Sequence, residues 1–147
     1  MLNFIRFHLI ILIIIGVMLE RDFLMRQLLQ LFEVLQSILR RRKKGEIAQA
    51  QDEVTYFYSI LKLEEDAWAL SIEQFYHLLA DEKKLTNDQL EMVAYVLKEQ
   101  GEMAGEEQIR LDFFRKAYFL LEKAERESIT FSLERLMKLE ELKERLN

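Results

Sequence analysis

Nothing in this chain forces a helix to stop: it contains no proline and only four glycines in 147 residues. Proline removes a backbone donor and clashes with the preceding turn, so its absence permits long helices. Leu, Glu, Lys, Gln and Ala are abundant, and they favour helix over strand. An all-α fold follows. The strongest helical stretch runs from Leu19 to Lys44, where Leu24, Leu28, Leu31, Leu35 and Ile38 recur at alternating steps of four and three. Met25, Leu29 and Phe32 widen that stripe, which predicts a helix covered on more than one side and lying at the centre of the fold.

The chain is long enough for one domain with a real core. Its 50% hydrophobic and 32% charged residues set it apart from disordered sequences. A net charge of -5 argues against nucleic acid, which needs a concentrated positive footprint. Cysteine is absent, which removes disulfides, thiolate catalysis and cysteine zinc sites together. His8 and His77 are too few for a histidine metal centre. No phosphate loop, spaced nucleophile and base, HExxH or ExxH occurs. The expectation is a non-enzyme with no catalytic residue, cofactor or metal.

Residues 1–17, MLNFIRFHLIILIIIGV, stand apart from the rest. The uninterrupted apolar run, Leu9 to Leu19, is shorter than the roughly 20 residues of a membrane span unless Phe4, Ile5 and Phe7 are counted despite their polar neighbours. As a signal peptide the segment has a poor cleavage site at Ile15-Gly16-Val17. The favoured reading places the true start at Met18, with a membrane anchor or uncleaved signal through residues 4–19 as the alternative. A cleaved signal or a packed helix comes after these. Residues 18–147 are expected to form one helical domain.

The cations Arg40 to Lys44 precede Gly45, and they read as a dipole-complementing last turn with a glycine cap. A second helix, Glu46 to about Leu63, then carries Ile47, Ala50, Val54, Phe57 and Leu61 inward, completing a helical hairpin. Glu64-Glu65-Asp66 lies beside Trp68 and reads as a helix N-terminus with Trp68 packed beneath it. Ser71 to Gln74 and Thr86 to Gln89 have capping-box spacing. The first opens a short helix burying Ile72, Phe75 and Leu79, with His77 at its surface, and Asp81 to Leu85 forms a charged loop. The second opens a helix that buries Leu90, Val93, Ala94 and Leu97 and stops near Gly101. Met103 to Glu125 and Phe131 to Leu146 follow, separated by a break around Ser128 to Thr130. The last helix has a leucine stripe and the pairs Glu134–Lys138 and Glu141–Arg145. Arg21 and Asp22 read as an ion pair or cap near a helix start.

Two turns share a pattern, Gly45-Glu46-Ile47-Ala48 and Gly101-Glu102-Met103-Ala104, each followed at the same offset by an aromatic pair, Phe57-Tyr58 or Phe113-Phe114. With Ala50, Leu90, Val93, Ala94 and Leu97 they resemble the tetratricopeptide class, which implies an irregular TPR-like bundle of helical hairpins. Met18-Leu19-Glu20-Arg21-Asp22-Phe23-Leu24-Met25-Arg26 resembles the opening of a family of small uncharacterised all-helical bacterial proteins. That resemblance implies a start at Met18, and no functional residue comes with it.

Helical hairpins commonly present a groove to another protein, so the expected function is that of a non-catalytic interaction adaptor or scaffold in the cytoplasm. Its partner is a protein or a second copy of the chain, with no nucleic acid. The alternative is a structural homo-oligomer paired through the last helix, tethered to a membrane only through the N-terminal segment.

Overall fold

The computed structural model describes residues 1–64 and 66–147, and every regular element among them is helical. In chain order these are α1 (Leu2–Lys43), α2 (Ile47–Ile60), α3 (Ile72–His77), α4 (Asn87–Met103), α5 (Glu107–Glu127) and α6 (Leu133–Leu146). A 3-10 turn, Ala67–Ala69, precedes α3, and a π-helical turn, Leu78–Glu82, extends it. The expected charged loop therefore begins after Glu82.

The chain divides into two compact units, Met1–Gln30 and Leu31–Asn147. In the first, helix runs from Leu2 without a break at Leu19, so Phe4, Ile5 and Phe7 join the apolar run in one continuous element. Every residue from Met1 to Phe23 is exposed. α1 is long and apolar enough to cross a membrane by length and composition. Leu2 to Leu19 rises about 27 Å, close to the roughly 30 Å of a hydrocarbon core. Arg21 and Asp22 lie exposed in mid-helix, not at a helix start.

In the second unit Leu31, Leu35 and Ile38 are buried, as their stripe predicts. The second stripe is not covered: Met25, Leu29 and Phe32 are all exposed. The central helix is α4, with ten buried residues out of 17. Its core side chains Leu90, Val93, Val96 and Leu97 share one cluster with Phe57 and Tyr58 of α2, Phe75 and Leu79 near α3, Phe114, Leu120 and Leu121 of α5, and Leu139 and Leu142 of α6. The second compact unit begins at Leu31.

Local chemistry sets the helix ends. α1 ends in a Schellman turn: Gly45 at φ +78° donates to the Arg42 carbonyl at 3.0 Å, and Glu46 donates to that of Arg41 at 2.9 Å. α3 and α4 start in reciprocal capping boxes, Ser71 with Gln74 and Thr86 with Gln89. The second glycine of the repeated tetrapeptide behaves differently. Gly101 lies inside α4, and a Cβ there would stand 2.5 Å from the Phe114 ring, so it is a packing glycine. The true turn is Ala104 to Glu106, and the two tetrapeptides do not mark equivalent turns.

Candidate interaction groove

Where α2 meets the α4–α5 turn, a half-open cavity of about 430 Å³ is lined by Gln51, Val54, Thr55, Trp68, Gln100, Met103, Ala104, Gly105, Ile109 and Phe113. α2 supplies the first three, the end of α4 and its linker supply Gln100 to Gly105, and α5 supplies Ile109 and Phe113. A shallower depression with Ala69, Gln108 and Asp112 continues past Trp68, Ile109 and Phe113. Among the described residues, none that lines the main cavity is charged.

Trp68 is placed by the way α2 ends. Lys62 at φ +58° donates to the Ser59 carbonyl at 3.0 Å, and Leu63 to that of Tyr58 at 3.1 Å, a second Schellman turn with lysine in the left-handed position. Leu63 turns inward to burial, and the chain drops into the Ala67–Ala69 turn. Two contacts then fix the tryptophan. Its ring lies 5.0 Å from that of Tyr58, tilted by 32°. Its carbonyl accepts from Lys116 Nζ at 2.5 Å, and that ammonium also reaches Asp112 at 2.7 Å.

Tyr58 is fully covered, and its hydroxyl donates to Gln100 Oε1 at 2.7 Å. Burial pushes the Tyr58 phenol far above its ordinary range, so it stays a neutral donor throughout the accessible pH range. One rim of the groove is thereby tied to its floor by a buried hydrogen bond.

An ionic network holds α6 against α4 and α5. Arg135, its side chain 4% exposed, reaches Glu91 at 3.2 Å and also pairs with Glu125. Tyr95 donates to the same Glu91 at 2.6 Å, and burial together with that carboxylate drives its phenol far upward. Lys98 reaches Glu141 at 3.1 Å, and Arg145 reaches Glu102 at 2.9 Å. The last two replace an expected contact: Glu141 takes Lys98 and Lys138, and Arg145 crosses to α4, so the Glu141–Arg145 pair along α6 is not made. Burial pulls the Glu141 carboxyl upward, but Lys98 and Lys138 outweigh it and hold it below its ordinary 4.5.

The residues singled out in the sequence are scattered. His77 is exposed on α3, with Nδ1 2.7 Å from Asp81 Oδ2. Of the acidic triplet, Glu64 and Asp66 are exposed, and Glu65 lies outside the described residues. The triplet leads into a 3-10 turn, and Trp68 above it is half-buried. In the cationic run Arg41 reaches Glu46 at 3.0 Å and Glu53 at 3.1 Å, Arg42 pairs with buried Glu99, and Lys43 and Lys44 are exposed. Two of the five cations thus join helices, beyond their dipole role. Among the described residues no group of three or more His, Asp or Glu could hold a metal.

The groove itself went unread in the sequence. Trp68 and Phe113 stood out as packing residues, but their convergence depends on the Lys62 turn, which carries no glycine or proline signal, and on α4 ending at Met103 rather than at the expected Gly101. Comparison with protein-family models, curated proteins and solved structures finds no match for this chain.

Proposed function

We propose that this chain is a bilayer-anchored helical adaptor, held in a membrane by the first part of α1 and binding a protein partner through the Trp68 groove. The observation that carries the reading is the length of exposed apolar helix from Leu2 to Leu19. Such a surface needs lipid or another protein. Helical geometry satisfies its backbone, as hydrocarbon requires. His8 Nδ1 sits 3.0 Å from the Phe4 carbonyl, a contact within the same helix, and Arg6 is near enough to the end to snorkel. The groove supports the adaptor half of the reading, because aromatic residues such as Trp68 and Phe113 in a partly open apolar cleft are what binding hot spots are built from.

The test uses the full chain in its native host with a photoreactive amino acid at Thr55, on the groove rim, or at Glu144, on α6. The reading expects the protein in the membrane fraction after alkaline extraction, and a discrete cross-linked species from Thr55 alone. Recovery of the intact chain in the soluble fraction would remove the anchor. Equal cross-linking from both positions would remove the groove.

A second reading, self-association through α6, is favoured by one patch. Ile129, Phe131, Leu133 and Met137 are 101%, 77%, 63% and 55% exposed. Sedimentation of the detergent-solubilised chain tests it: Met137→Glu converts a dimer to monomer if α6 is the interface, and an unchanged mass rules it out.

A further inference from the structure

We infer that the groove takes one uncharged aromatic or aliphatic side chain of the partner together with the main-chain carbonyl beside it, which accepts from the Gln100 amide. This deepens the adaptor reading and rests on it. Three observations define the occupant.

The first is charge. All ten described lining residues are neutral, so a carboxylate or ammonium entering the cleft would lose its hydration with no counter-ion among them. The nearest buried cation, Lys116, is committed to the Trp68 carbonyl and to Asp112.

The second is the hydrogen-bonding state of Gln100. This side chain belongs to a residue only 8% exposed. Its oxygen is occupied by the Tyr58 hydroxyl at 2.7 Å, which leaves the NH2 as the group it can offer a ligand. Among the described residues that NH2 has no hydrogen-bond partner, and it is not sealed from solvent, so an acceptor entering the groove can reach it. Tyr58 cannot release the oxygen by ionising, so the amide keeps this orientation across the pH range.

The third is size. At about 430 Å³ the cleft falls within the roughly 300–1,000 Å³ of ligand pockets and exceeds what one side chain needs. A side chain plus its flanking peptide group fits within it. The apolar walls of Trp68, Phe113, Met103 and Val54 receive the ring or alkyl group, and Gln100 receives the carbonyl.

Trp68 is the single tryptophan of the chain, so it reports on the groove alone. The experiment is a fluorine NMR titration of the full chain in phosphatidylcholine nanodiscs, with 5-fluorotryptophan at this position. The probe is N-acetyl-phenylalanine methylamide, which is neutral and carries both a ring and carbonyl acceptors. The expected result is a saturable shift of the one resonance. Phenethylammonium, which has the ring but a charge in place of the carbonyls, should bind at least tenfold more weakly. Ile109→Glu, which brings a charge to an exposed position at the mouth, and Thr55→Phe, which fills the rim, should each weaken the capped probe at least tenfold. A shift that never saturates, equal binding of the two probes, or probe binding unchanged in both variants would overturn the inference. The cross-linking experiment reads the adaptor role separately, so a discrete Thr55 cross-link alongside a failed titration would leave that role standing and remove only this account of recognition.

Discussion

Leu9 to Leu19 and Val93 to Gly101 invert the familiar relation between residue type and burial. The first contains no charged or amide side chain, and every one of its residues is exposed. The second includes Lys98, Glu99 and Gln100, all buried, and only Tyr95 is partly open. What separates them is neighbours. Each of these three side chains meets a partner from another helix: Lys98 meets Glu141, Glu99 meets Arg42, and the Gln100 oxygen meets Tyr58. Burial of such groups is tolerable only under that condition. The apolar stretch of α1 lies exposed, and hydrophobicity cannot by itself create a core.

The largest expected effect opposes the two stretches directly. Leu97→Ala empties a fully covered site and should destabilise the Leu31–Asn147 unit by about 2–5 kcal/mol, as should Leu31→Ala. Leu12→Ala, 64% exposed before substitution, should change the same unfolding transition by less than about 0.5 kcal/mol. Denaturant titration of the full chain in nanodiscs, followed by Trp68 fluorescence, compares the three. A large effect of Leu12→Ala would break the comparison.

A smaller effect tests how tightly α4 is packed. Gly101→Ala brings a Cβ to 2.5 Å from Phe114 Cε1, and the buried ring must shift. Overpacking of this kind costs about 1–3 kcal/mol, against a helix-propensity gain of at most about 1 kcal/mol. A stabilised variant in the same titration would mean that Phe114 has room to move. Arg42→Ala then asks whether α4 keeps its charges through partners. It strands Glu99, but the arginine is partly exposed, so the loss should fall below the roughly 3–5 kcal/mol of a fully buried pair, at about 1–3 kcal/mol. Arg42→Ala combined with Glu99→Gln should recover part of it.

The smallest effect is a pH dependence. The Glu141 carboxyl is held below its ordinary 4.5 in the folded state, so the unfolded chain takes up the proton first. Its contribution is complete above that ordinary value and disappears as pH falls through the lower folded value. Stability should therefore decline below about pH 4.5. Glu141→Gln should flatten the decline, and an identical slope in both proteins would show that Lys98 gains nothing from this partner.

Much of the helical plan was legible because it is written in local periodicity. The stripe at Leu31, Leu35 and Ile38, the two capping boxes and the Gly45 turn all depend on residues within one or two helical turns. What was not legible depended on distant contacts. Gly101 looks like Gly45 in sequence, yet one turns the chain and the other admits the Phe114 ring. The exposed second stripe of α1 reads as core because periodicity reports amphipathicity and not the presence of a neighbour. α4 reads as burying Leu90, Val93, Ala94 and Leu97, but its central place was not legible, because burial of Lys98, Glu99 and Gln100 needs Arg42, Tyr58 and Glu141 brought to it. The groove has no local signature, since α2, a lysine-bearing Schellman turn, α4 and α5 each supply part of it.

The proposal stands on α1 belonging to two environments, lipid for its first part and protein for Leu31 to Ile38. Hydrogen exchange of the full chain in phosphatidylcholine nanodiscs, followed across a urea series, tests it most directly. The account predicts that amides from Leu9 to Leu19 stay protected at urea concentrations where α4 and Leu31 to Ile38 have unfolded together. Loss of protection from Leu9 to Leu19 in the same transition as α4 would place that stretch in the protein's own cooperative core and contradict the account.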